Sequence, residues 1–261
     1  MKRLLTWPIN KLRKLRQLMK TNPCNRGVIQ IFVNDSQRKT SYSLTNYPSF
    51  LLPKLLGSVG YEISLFDESG KLVFSKDIEV PKYGSAKIVP AEIYEGKLPE
   101  RGIFQANLKA SRFSLLDKYY LRLLGMVTSH FYTMFYSPNF ESLALIHPQT
   151  VAPVPDSDEK SNFWYSQYLI HVPSVAKLEV FQINPCKSAY PLNLKLMNTK
   201  GQVIAESTDQ VPGYGIRKVV WEKPTLADQE YLYLASDTLR GNEKPILFSY
   251  YSDGSYTALH T

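Results

Sequence analysis

ISLFDESGKLVFSKDIEVPKYGSAKIV, residues 63–89, and LKLMNTKGQVIAESTDQVPGYGIRKVV, residues 194–220, are one stretch written twice at a constant offset of 131. Leu65/Leu196, Gly70/Gly201, Val80/Val211, Pro81/Pro212, Tyr83/Tyr214, Gly84/Gly215, Lys87/Lys218 and Val89/Val220 coincide without a gap. Each copy alternates apolar and polar residues, turns at Asp67–Gly70 or Asn198–Gly201, and alternates again. It then turns at Pro-x-Tyr-Gly and alternates a third time, the pattern of a three-strand antiparallel meander. Two unrelated topologies do not share such a register, so the chain is expected to be a tandem internal duplication.

Working outward, Val28–Val33 and Ser41–Thr45 read as strands before the first copy, and Leu178–Ile183 as the strand before the second. The strand residues are followed by Asn46 and Asn184, whose side chains are expected to close the loops by satisfying backbone groups. After the meander, Gly102–Leu108 and Glu230–Ala235 are strand-like. Each copy then ends on a hairpin carrying a histidine: His130–Tyr136 with Leu143–His147, and Pro245–Tyr251 with Tyr256–Thr261. The first copy carries an insertion, SRFSLLDKYYLRLLGMVTS, in which Leu116, Tyr120, Leu123, Leu124 and Val127 fall at helical spacing. Its apolar face is expected to pack on its own sandwich or between the domains, with a partner interface as the other reading.

The predicted fold class is therefore all-β: two antiparallel β-sandwiches of seven or eight strands each, residues 28–147 (helical insertion 111–129) and 162–261. The Pro-rich segment 148–161 reads as a linker. Residues 1–27 form a basic tail and connector.

The net charge of +8 suggests nucleic acid until it is located. Met1–Lys20 holds seven Lys and Arg and no acid, leaving 24 basic and 23 acidic residues in the rest. Nucleic acid is thus disfavoured as a partner of the domains. In the tail, Ile9, Leu12, Leu15 and Met19 recur at helical spacing among Lys11, Arg13, Lys14 and Arg16, after Trp7 and Pro8. That pattern suits a basic amphipathic helix, packed on its own protein or a second subunit, anchored on an anionic membrane surface with Trp7 as a wedge, or, least favoured, laid on nucleic-acid phosphates. The apolar run near the start is too short for a signal peptide, and no run is long enough to span a membrane. Cys24 and Cys186 make neither a disulfide framework nor a metal motif, which fits a reduced, cytoplasmic setting, peripheral to the inner membrane surface if the tail binds it.

Catalytic chemistry has no signature here. G-x-S-x-G, H-x-x-x-H, C-x-x-C and a phosphate-cradling Gly-rich loop are all absent, so no enzyme activity, metal or cofactor is expected. His130, His147, His171 and His260 are scattered along the chain and read as packed or hydrogen-bonded structural groups. The order of strands and turns, with Lys244–Leu247 leading into Tyr251 and His260, resembles the small β-sandwich of the bacterial sensory rhodopsin transducer family, present twice. The resembling runs are Tyr42–His147 and Leu178–His260. The resemblance implies sandwiches that bind small molecules such as sugars and pass signals by protein contact.

Two functions are weighed. In the first, loop-end residues Tyr136, His147, Tyr251, Asp253 and His260 hold a small or sugar-like ligand, since aromatic faces stack on sugar rings and polar tips orient them. In the second, the protein is an adaptor whose surfaces meet other proteins or a second copy of itself.

Overall fold

The computed structural model describes residues 27–51, 53, 57–109, 114, 116, 131–148, 150–152, 161–166, 169–222, 230–240 and 244–260. The expected tail helix lies outside these residues, and so does all of the inserted segment except Ser114 and an exposed Leu116.

The fold is all-β. The first half runs β1 (Gly27–Val33), β2 (Lys39–Thr45), α1 (Tyr47–Leu51), β3 (Val59–Asp67), β4 (Leu72–Val80), β5 (Ser85–Ile88), α2 (Pro90–Ile93), β6 (Arg101–Leu108), β7 (Phe131–Tyr136), β8 (Leu143–Ile146) and β9 (Thr150–Ala152). The second runs β10 (Ser161–Tyr165), β11 (Ile170–His171), a 3-10 turn, β12 (Val175–Ile183), β13 (Tyr190–Asn198), β14 (Val203–Val211), β15 (Ile216–Glu222), β16 (Tyr231–Arg240), β17 (Ile246–Tyr251) and β18 (Tyr256–His260). The strands make four antiparallel sheets, ordered β4-β3-β6-β1-β9, β5-β2-β7-β8, β10-β16-β13-β14 and β15-β12-β17-β18, with β11 on β16.

The turns follow from local chemistry. Asp67 Oδ1 accepts from the backbone N–H of Ser69 (2.9 Å) and Lys71 (3.0 Å), and Asn198 Oδ1 accepts from Lys200 and Gln202 (both 3.0 Å). Gly70 and Gly201 supply the positive φ these turns need, 85° and 77°. In the Pro-x-Tyr-Gly turns, Tyr83 and Tyr214 share left-handed φ values of 58° and 51°. Asn46 and Asn184 are wholly buried. Asn46 Nδ2 donates to the carbonyls of Gly57 and Pro81, and Asn184 Nδ2 to that of Ser188. Both side chains thus satisfy loop backbone carbonyls. The longer loop after Asn46 contains α1, which accounts for the slip in register between the two halves at that point.

Alternation places Tyr42, Leu44, Tyr61, Ile63, Leu65 and Phe104 in one core and Leu178, Val180, Leu192, Leu194, Leu196 and Leu234 in a second. A third core crosses between the halves: Ile29, Ile31, Val33, Phe135 and Ile146 meet Phe181, Ile183, Ile246, Phe248 and Tyr256. Strands β1 and β17 are therefore covered on both faces, consistent with their near-continuous apolar runs GVIQIFV and ILFSYY.

The expected linker is not wholly free chain. Within it β9 pairs with β1, Gly27 opposite Ala152 and Ile29 opposite Thr150, and β10 begins at Ser161. The β-branched pair Thr150-Val151 lies between prolines, and an edge position tolerates such flanks.

Candidate functional site

Three loops meet at one end of the seam between the halves: the β1–β2 loop, the β7–β8 loop and the β17–β18 loop. They enclose a cleft of about 590 Å³, lined by Ser36, Gln37, Ser137, Asn139, Glu141 and Ser142 on the first half. The second half contributes Tyr250, Asp253, Ser255 and Tyr256.

Each loop is held rigid by its own polar side chains. Ser137 Oγ accepts from the N–H of Ser142 at 2.9 Å, and the ring of Tyr136 stacks on Phe140, 4.9 Å between centroids. Burial, then the nearby Glu92 charge, raises the Tyr136 hydroxyl pKa. Opposite, Asp253 Oδ1 accepts from the N–H (2.9 Å) and hydroxyl (2.7 Å) of Ser255, which lowers its carboxyl pKa. The two hairpins are tied by the Tyr256 N–H donating to Ser142 Oγ at 3.1 Å.

Beneath the cleft lies a buried charge network. Asp35 Oδ1 caps the N–H groups of Gln37 and Arg38, and its other oxygen pairs with the Arg38 guanidinium at 2.6 Å. Arg38, 3% exposed, reaches across the seam to Glu179 at 2.7 Å on β12. Glu179 also meets Lys177 (3.1 Å) and Lys218 (3.5 Å) and accepts from the Tyr250 hydroxyl at 3.2 Å. The guanidinium lies 4.9 Å from the Phe248 ring centre and 5.6 Å from that of Tyr250, a desolvated cation–π arrangement. Desolvation acts to raise the Glu179 carboxyl, but Arg38 and the two lysines override it and hold the group below its ordinary value. Burial pushes the Tyr256 hydroxyl up to about 12.

Of the loop-end residues expected to bind, Asp253 lines the cleft. Tyr136 braces the adjoining hairpin through Phe140, while Tyr251 packs against the second core and its hydroxyl meets Thr257 Oγ1 at 3.2 Å. His147 and His260 sit at the far ends of β8 and β18, strands that both begin at the cleft. There the two imidazoles meet, Nε2 to Nε2 at 3.3 Å. Burial first, then His147 and Lys244, lower the His260 pKa. Trp7, Lys11, Arg13, Lys14 and Arg16 lie outside the described residues.

Sequence reasoning missed Arg38, Glu179, Ser142 and Tyr256. The available signal was a charged residue, Glu179, in a largely apolar strand run, LEVFQI. Chemically the cleft offers hydroxyls, two amides and two carboxylates. Among the described residues no group of three or more His, Cys, Asp or Glu is placed to hold a metal ion, and no helix is long and apolar enough to cross a membrane.

No family model matches the chain, and no curated protein matches it. Among solved structures it is similar to a β-glucuronidase from glycoside hydrolase family 2, with 11% identity and a TM-score of 0.22. The match spans 90% of this chain and 24% of that one. A likeness of that degree carries no argument about fold or activity.

Proposed function

We propose that the chain is a duplicated β-sandwich, residues 28–147 and 162–261, that binds a small hydroxyl-rich ligand, saccharide or polyol, in the cleft between its halves without transforming it. The observation that carries this reading is the convergence of the two equivalent hairpin loops on one polar cleft. Hydroxyl, amide and carboxylate groups from both halves line it, with the rings of Tyr250 and Tyr256 also in its wall. Neutral hydroxyl-rich molecules are recognised by such side chains and by aromatic faces. Tyr256 supports it further: its buried hydroxyl has no hydrogen-bond partner among the described residues, and a ligand oxygen reaching it would relieve that cost. The shared strand order of the halves supports the duplication, and the resemblance noted in the sequence points to the same class of ligand.

The test is a thermal-shift screen of the full chain against mono- and oligosaccharides and polyols, followed by titration calorimetry on any hit. A saturable rise in melting temperature is expected, lost in the Asn139→Ala/Glu141→Ala variant while its unliganded melting point stays within a degree or two. No shift with any of these compounds, or one that survives in that variant, overturns the reading.

A second reading, an adaptor, is favoured by the apolar outer side of the β7–β8 hairpin. Tyr132, Phe140, Leu143 and Leu145 are each more than half exposed there. In that reading the basic segment 1–20 carries the adaptor to an anionic surface.

A further inference from the structure

The meeting of His147 and His260 is unused by the cleft, which lies at the other end of their strands. One imidazole comes from each half. Their Nε2 atoms are 3.3 Å apart, and their ring centres are 4.7 Å apart at an interplanar angle of 67°. With the ring centres that close, the nitrogens do not face each other head-on, so any N–H···N bond between them is bent as well as long, and weak. Zinc, by contrast, takes imidazole nitrogens at about 2.0–2.1 Å, and tetrahedral angles then set two such nitrogens about 3.4 Å apart. The other ring nitrogen of His147, Nδ1, is 3.5 Å from the Pro148 carbonyl oxygen. A carbonyl only accepts, so a proton on Nδ1 facing it leaves the Nε2 lone pair open, the arrangement that commonly orients a metal-bound histidine.

We propose that His147 and His260 form a two-histidine site for a borderline divalent transition ion of the zinc, nickel or copper class, completed by water, that clamps the two halves together. Imidazole is a ligand these ions favour. Lys244 places a positive charge near His260, which weakens the site relative to an uncharged setting. Because the ligands come from different halves, the ion binds the docked state and stabilises it by mass action. The site is independent of any ligand in the cleft.

The experiment is a melting curve of the full chain at pH 7.5 with increasing zinc chloride, repeated with nickel chloride and reversed with a chelator. A saturable, chelator-reversible upward shift is expected. It should disappear in His147→Gln and in His260→Gln, and persist in His171→Gln, an exposed histidine on β11. No upward shift, or one that persists in His147→Gln, overturns the proposal. His147 is exposed, so its variant decides the question even if His260→Gln folds poorly.

Discussion

Gly70 and Gly201 hold the same turn position with nearly the same φ, yet their surroundings differ. A methyl group on Gly70 would lie 1.9 Å from the Gly213 carbonyl oxygen of the other half, while on Gly201 it would meet nothing within 4 Å. Gly201→Ala should therefore cost only the left-handed penalty, about 1–2 kcal/mol. Gly70→Ala adds a collision with backbone that has no rotamer to escape into, and should cost at least about twice as much. Chemical denaturation of both variants checks this, and equal losses would show that the β3–β4 turn does not dock on the β14–β15 turn. Glu179 gives a second residue-scale expectation. Its carboxyl is depressed in the folded chain, so the unfolded chain binds the proton more readily and stability rises with pH across the window between the two values. The contribution is complete above about pH 4.3, the ordinary carboxylate value, and is lost as pH falls through the lower native one. The wild-type melting temperature should thus drop below that point, and Glu179→Gln should flatten the acid slope while melting lower at pH 7.

At the scale of elements, what was legible was local. Period-two alternation marks β3, β13 and their partners, and the Asx chemistry of Asp67, Asn198 and Asp253 is written within two to four residues of each turn. The closing role of Asn184, through Cys186 and Ser188, was legible for the same reason, whereas the amide of Asn46 donates to Gly57 and Pro81, 11 and 35 residues away. The short strand β9 was not, because a three-residue edge strand between prolines has the composition of a linker, and only its partner β1 makes it a strand. The candidate cleft was half legible. The recurrence of Tyr-Ser hairpins pointed to two of the loops that line the cleft, but which side chains face it depends on how two sheets meet, and neither half encodes that by itself. Arg38 illustrates the limit: in sequence it is one loop arginine among many, and it becomes the central buried cation through Glu179, on a strand of the other half. The meeting of His147 and His260 was invisible for the same reason.

On the scale of the whole molecule, the seam is a core in its own right. Phe135 packs edge-on against Phe248 at 5.2 Å between ring centres, and Arg38 bridges to Glu179 beside them. Two sandwiches joined only by a linker would melt separately; halves that share a core should melt together. Calorimetry of the full chain should show one cooperative transition, and Arg38→Ala, which leaves Glu179 with only Lys177, Lys218 and the Tyr250 hydroxyl, should lower stability by less than the roughly 3–5 kcal/mol of a buried pair broken with no other partner. Two resolved transitions in the wild type would rule out that coupling. The two-faced burial of β1 also has a consequence for biosynthesis. Ile29, Ile31 and Val33 are translated well before Ile246 and Phe248, which share their core. At roughly 5–20 residues per second, translation of the intervening chain takes on the order of ten to forty seconds. Through that interval the nascent first half presents an uncovered apolar strip, which chaperones, or neighbouring chains on the same message, can reach before its own second half does. The yield of correctly assembled protein should then depend on translation speed and chaperone supply, even where the finished molecule is amply stable.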